Sequence, residues 1–128
     1  MKKKVLIVCA DYYSNTTLSL KVDAENILNE AKIKHHSIHV PGIFEIPVVI
    51  SKNIKKFDGF VALGCVIKGE TPHFDFISKA TIEEIMRLSV KSKKPIGNGI
   101  ITCLNMKQAS ERKSKGEEAA NAVNSVLD

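Results

Sequence analysis

The chain has 128 residues, 44% of them apolar and 26% charged, with 19 basic against 14 acidic side chains and a formal net charge of +5. That length carries a single domain with a substantial core, and that composition excludes a disordered or low-complexity chain. No stretch approaches the length of a membrane span. The basic residues are scattered outside Lys2-Lys3-Lys4 and Lys91 to Lys94, with few aromatics among them, which argues for a solvated surface over a nucleic-acid face. A mild positive field also suits an anionic small substrate.

Taken in order, four apolar runs alternate with four helical patterns. Met1-Lys2-Lys3-Lys4 followed by Val5 to Ala10 imitates the start of a signal peptide, but the apolar run is too short and ends in Asp11-Tyr12-Tyr13. Val5 to Ala10 therefore reads as the first strand. A polar loop over Asp11 to Asn15 leads into a helix on which Leu18, Val22, Ala24, Ile27, Leu28 and Ala31 recur at helical spacing. A second strand covers Lys34 to Val40 and ends in a turn at Pro41-Gly42. Phe44 to Ile54 reads as a short helix with Pro47 near its first turn.

The third strand, Phe60 to Ile67, is a continuous apolar run rich in β-branched residues, the pattern of a strand buried on both faces. The chain is expected to turn at Gly69 and to start a helix near Pro72, running from His73 to Lys91 with Ile77, Ala80, Ile82, Ile85, Met86, Leu88 and Val90. The fourth strand runs from Pro95 to Cys103. The tail from Met106 is helical, with a break from Lys113 to Gly116 and Ala119, Ala120, Val123, Val126 and Leu127 on one face.

Repeated β–α units of this length imply an α/β fold: a flavodoxin-like, three-layer α/β/α sandwich around a four-stranded parallel sheet. Helices this apolar leave little polar surface, so oligomerisation is expected. Cys9, Cys65 and Cys103 lie in apolar runs without a CxxC spacing, which points to reduced core thiols in a cytoplasmic protein. His35 and His39 share one face of the second strand and His36 points opposite. No cysteine or acid accompanies them, so no metal site is expected.

Open parallel sheets bind ligands outside the carboxyl ends of their strands. Those ends carry Asp11-Tyr12-Tyr13, Pro41-Gly42-Ile43-Phe44-Glu45 and Gly69-Glu70-Thr71-Pro72-His73, with Asn98 and Thr102 expected near the end of the last strand. Together they predict a cleft with an aromatic wall, acids, one histidine and a helix N-terminus. Neither GxGxxG nor a Walker sequence is present, so nucleotide binding by those devices is unsupported. Backbone N–H groups from Gly69 to Thr71 form a generic phosphate site, which needs a cation nearby; Arg112 and Lys115 are candidates. His73 suits proton transfer near neutrality, or is an N-terminal helix histidine without a chemical role.

Pro41-Gly42-Ile43-Phe44-Glu45-Ile46-Pro47 and the stretch from Ala62 to Asp75, ALGCVIKGETPHFD, resemble the two signature stretches of the lumazine synthase family. The Gly99-Ile100-Ile101-Thr102 strand and the helix from Gln108 to Arg112 also match. The resemblance spans nearly the whole chain. It implies the penultimate step of riboflavin biosynthesis, in which 5-amino-6-(D-ribitylamino)uracil condenses with 3,4-dihydroxy-2-butanone 4-phosphate to give 6,7-dimethyl-8-ribityllumazine, with no cofactor and no metal. It also implies roles. Tyr12 would stack on the pyrimidine, while Ile43, Phe44 and Glu45 would hold the ribityl chain. Val66 and Ile67 would present backbone to the pyrimidine edge. Glu70 and Thr71 would bind phosphate opposite Arg112, and His73 would transfer protons. In the family the site lies between neighbouring subunits of a pentamer, so Asn98, Arg112 and Lys115 would come from the adjacent chain.

Three departures stand out. The first loop reads Ala10-Asp11-Tyr12-Tyr13 where the family usually has Ala-Arg-Phe-Asn. Asn98 stands where many members have phenylalanine. The connection from Glu111 to Gly116 is shorter than usual, which favours a pentamer or decamer over a sixty-subunit shell. The altered loop and Asn98 keep open a catalytically weak flavin- or lumazine-binding protein of the same fold. A flavodoxin-like electron carrier would use Ser14-Asn15-Thr16-Thr17 but leaves Gly69 to Asp75 unexplained.

Overall fold

The four apolar runs become strands of one sheet, all parallel: β1 (Lys4–Ala10), β2 (Lys34–Val40), β3 (Gly59–Ile67) and β4 (Ile96–Cys103), in the spatial order β2-β1-β3-β4. Among the described residues, five α-helices accompany them: α1 (Ser14–Glu30), α2 (Ile46–Lys52), α3 (His73–Ser92), α4 (Met106–Glu111) and α5 (Lys115–Val126). The computed structural model describes residues 3–69, 73–112 and 114–127.

Side chains alternate across the sheet and build two cores. Val5, Ile7, Cys9, Val61, Leu63 and Cys65 pack with α1 and α5. Leu6, Val8, Ala10, Phe60 and Ala62 pack on the opposite face with α2 and α3. The expected three-layer α/β fold is thus what the chain adopts. β1 and β3 are central and buried on both faces, which is why their sequences show no polar alternation. β2 is an edge strand, and its sequence KHHSIHV is correspondingly polar and half-covered.

Several local expectations change. The buried stripe of α1 is Thr17, Leu20, Ala24 and Leu28, while Leu18 is 56% exposed and Val22 also faces outward. The Thr17 hydroxyl is satisfied there, donating to the Ala10 carbonyl at 2.7 Å. On α3 the buried positions are Ser78, Thr81, Ile85 and Leu88, and Met86 and Val90 are exposed. Val126 likewise lies outside the buried face of α5. The segment expected as a helix from Phe44 begins one residue earlier as a 3₁₀ turn, Ile43–Glu45, before α2 continues it.

Lys115 and Gly116, expected in the break, open α5 instead. Gly116 is required there because α5 presses on α1: a Cβ would collide with the Leu20 carbonyl. Gly69 does not adopt a left-handed conformation, and the rest of that turn, over Glu70, Thr71 and Pro72, lies outside the described residues.

Candidate active site

The spatial order places a topological switch between β1 and β3, from which the chain departs to opposite faces of the sheet. β1 pairs with β3 only as far as Cys9↔Leu63, whereas the β3–β4 ladder continues to Ile67↔Cys103. The last residues of β3 therefore extend past the end of β1's ladder. Their backbone edge on that side borders a cleft of about 430 Å³.

Each wall of the cleft comes from a different element. The end of β1 supplies Ala10, Tyr12 and Tyr13. The 3₁₀ turn supplies Ile43 and Phe44, with Gly42 before them. Cys65, Val66, Ile67 and Gly69 form the floor and exit of β3, and the first turn of α3 contributes His73, Phe74 and Ile77. Tyr12 is 77% exposed and meets Tyr13 edge to face, ring centroids 4.9 Å apart. Burial, and secondarily Tyr12 and Cys65, raise the Tyr13 hydroxyl above its ordinary pKa of 10.0, so it is a neutral donor at neutrality.

A wider hollow of about 540 Å³ lies between the start of α1 and α4. Among the described residues, its lining of Ser14, Asn15, Thr16, Ser19 and Ser110 with apolar neighbours carries no charged side chain. The cleft at the strand ends is the better chemical site, because it combines a titratable histidine, an aromatic wall and a backbone edge.

The chain matches the family model for 6,7-dimethyl-8-ribityllumazine synthase over residues 2–128. It is 42% identical to the 6,7-dimethyl-8-ribityllumazine synthase of Bartonella tribocorum, across 96% of this chain and 88% of that one. The enzyme of that name from Agrobacterium fabrum is 40% identical across 99% and 94%, and that from Corynebacterium kroppenstedtii 37% identical across 94% and 80%. This chain belongs to the lumazine synthase family.

The lumazine synthase signatures thus fall on the switch-point cleft. Among the residues singled out from the sequence, Tyr12, Ile43, Phe44, Val66, Ile67 and His73 all line it. Glu45 sits beside it, with Oε1 accepting the Gly42 N–H at 2.9 Å, so this carboxylate also caps the turn that presents Ile43 and Phe44. Glu70 and Thr71 lie outside the described residues.

Three candidates are not in the chain's own cleft. Asn98 lies near the amino end of β4, opposite Ala62, instead of near the strand's carboxyl end as expected; its Oδ1 accepts the Ile100 N–H at 3.0 Å. Arg112 follows α4 and donates from Nη1 to the Thr102 carbonyl at 2.6 Å. Lys115 stands in the first turn of α5. None of the described residues lining the cleft is a lysine or arginine.

Sequence reasoning overlooked Phe74 and Ile77 as lining residues. Their positions one and four residues after His73 place them on the same side of α3, and that spacing was the available signal. Cys65 also lines the cleft, but burial, then its neighbour Cys103, pushes its thiol from 9.0 up to about 11. It is a protonated wall residue at neutrality and a poor nucleophile.

Among the described residues, no group of three or more metal-binding side chains occurs and no helix is long and apolar enough to cross a membrane.

Proposed function

We propose that this chain condenses 5-amino-6-(D-ribitylamino)uracil with 3,4-dihydroxy-2-butanone 4-phosphate to 6,7-dimethyl-8-ribityllumazine, releasing phosphate and water. The observation that carries the reading is the convergence of the family's signature residues on one cleft at the sheet's switch point. The strip of β3 backbone at Val66 and Ile67 suits the donor–acceptor edge of a pyrimidine. Tyr12 offers a stacking face. Ile43 and Phe44 form an apolar bed for the ribityl chain, whose hydroxyls Glu45 accepts. His73 moves protons during imine formation, phosphate elimination and ring closure, steps that also gain from holding both substrates together.

The phosphate needs a cation that the described lining does not supply. This supports a site completed by Arg112, Lys115 and Asn98 of an adjacent copy, with Glu70 and Thr71 providing backbone N–H groups. Exposed Leu18, Val22, Leu104 and Met106 on α1 and around α4 provide apolar surface for such contacts. The assembly is a homopentamer or a decamer of two pentamers, and the protein works in the cytoplasm, where its three buried free cysteines stay reduced.

The test is a steady-state assay with both purified substrates, following lumazine fluorescence. Enzyme-dependent product is the expected result. A folded protein that binds the pyrimidine substrate without turnover would overturn the reaction.

A further inference from the structure

Asp11, the first residue after β1, anchors a chain of side chains outside the cleft. Its backbone N–H donates to the Val40 carbonyl at 2.8 Å, extending the β1–β2 ladder by one step. Its carboxylate meets His39 Nδ1 at 2.9 and 3.1 Å, one contact per oxygen. On the far side of that ring, His39 Nε2 lies 3.2 Å from Lys21 Nζ on α1.

An ammonium can only donate, so Nε2 accepts from Lys21, and the ring proton sits on Nδ1 and is given to Asp11. Three elements, β1, β2 and α1, are thereby tied at the point where the chain leaves the sheet. The Thr17 hydroxyl on the Ala10 carbonyl adds a fourth tie one residue earlier. The next residue is Tyr12, which is exposed and makes an edge contact with Tyr13.

We infer that Lys21 and His39 are positioning residues that act through Asp11 to hold Tyr12 as the aromatic wall of the cleft, and so set the affinity for the ring-bearing substrate. The inference rests on the proposed reaction for the identity of that substrate, but its structural half does not. Asp11 is not among the residues lining the cleft and holds the loop from behind it.

Composition supplies a direct probe. The chain has two tyrosines and no tryptophan, and both tyrosines are in this loop, so tyrosine emission reports on the loop alone. The experiment compares wild type with His39→Leu, His39→Asn and Lys21→Met by acrylamide quenching of that emission and by KM and kcat for each substrate. Because the pair is exposed, His39→Leu is expected to raise KM for the pyrimidine substrate about three- to fivefold. KM for the phosphorylated substrate and kcat stay unchanged, and quenching rises. His39→Asn puts an amide N–H where Nδ1–H stood but leaves Lys21 without its Nε2 acceptor, so it recovers the Asp11 contact and moves both readouts only part of the way back, to about the level of Lys21→Met. Lys21→Met leaves β2 untouched and shifts them in the same direction as His39→Leu.

Unchanged quenching and KM in His39→Leu, or a parallel change in kcat and both KM values, would overturn the positioning role. Were the wild type to make no lumazine, the proposed reaction would fall, and the quenching series would still decide whether this chain holds the loop.

Discussion

Ile43 leans so closely on Gly64 that a Cβ at position 64 would lie 2.8 Å from Ile43 Cγ2. Gly64 is on β3 and Ile43 opens the 3₁₀ turn, so a strand glycine sets the height of that turn above the sheet and with it the width of the cleft. Gly64→Ala is expected to push the turn outward. Overpacking of this kind costs about 1–3 kcal/mol, readable as a lower urea midpoint. KM for the ribityl-bearing substrate should rise more than kcat falls. An unchanged KM would remove the turn from the binding site.

His73→Ala should lower kcat by about 10²–10⁴-fold, the range for one general acid–base group. The oligomer should be unchanged by analytical ultracentrifugation, because His73 is exposed on the first turn of α3 and outside both cores. Full activity in this variant would exclude His73 from the proton transfers.

Arg112→Ala should raise KM for the phosphorylated substrate, with a smaller effect on the pyrimidine. The decisive version mixes the two impaired subunits at a phosphorylated-substrate concentration well below the raised KM. If Arg112 serves a neighbour's cleft, refolding His73→Ala together with Arg112→Ala gives some interfaces with both residues intact, and activity returns. Absence of recovery in verified hybrids would place Arg112 and His73 in the same subunit's site.

Much of this arrangement is legible in the sequence because the physics is local. β1 and β3 are covered on both faces, so they appear as unbroken apolar runs. The cleft residues follow from the loops that must leave such strands. The face of α1 was harder to read. Leu18 and Val22 look like core positions, yet Thr17 takes the inward place because its hydroxyl finds the Ala10 carbonyl. Hydropathy does not distinguish a face packed on the chain's own sheet from one available to another copy. Asn98 was misplaced for a different reason: β4 begins at Ile96, so register puts it early in the strand. The Lys21–His39–Asp11 chain joins three elements and has no sequence signature.

The C-terminus of α1 holds a strain that the sequence also hides. Lys32 has φ 58°, a left-handed conformation normally given to glycine. Its N–H bonds the Asn29 carbonyl at 3.0 Å, and the Ile33 N–H bonds the Leu28 carbonyl at 2.9 Å, so the Schellman pattern is complete with a lysine at its centre. Lys32→Gly should stabilise the fold by about 1 kcal/mol, since the left-handed penalty for a side chain is about 1–2 kcal/mol and glycine's greater unfolded entropy offsets part of it. An equal or lower urea midpoint would show that the lysine stem contributes more than the strain costs.

The buried thiols predict how stability depends on pH. Burial pushes Cys9 from 9.0 up to about 12; Lys21 pulls the other way, and Asp11 and Glu25 add to the rise. Cys65 moves up to about 11. The folded state therefore keeps protons that the unfolded chain releases above pH 9.0, and unfolding liberates protons in that window. The stabilisation is fully present below pH 9.0 and is lost as pH rises toward the folded values, at up to about 1.4 kcal/mol per pH unit for each thiol. Cys9→Ala should flatten this alkaline slope relative to wild type, even where the lost sulfur lowers stability at neutrality. Urea midpoints measured across the alkaline range check it. Parallel slopes would mean that the Cys9 thiol ionises inside the folded protein as readily as outside.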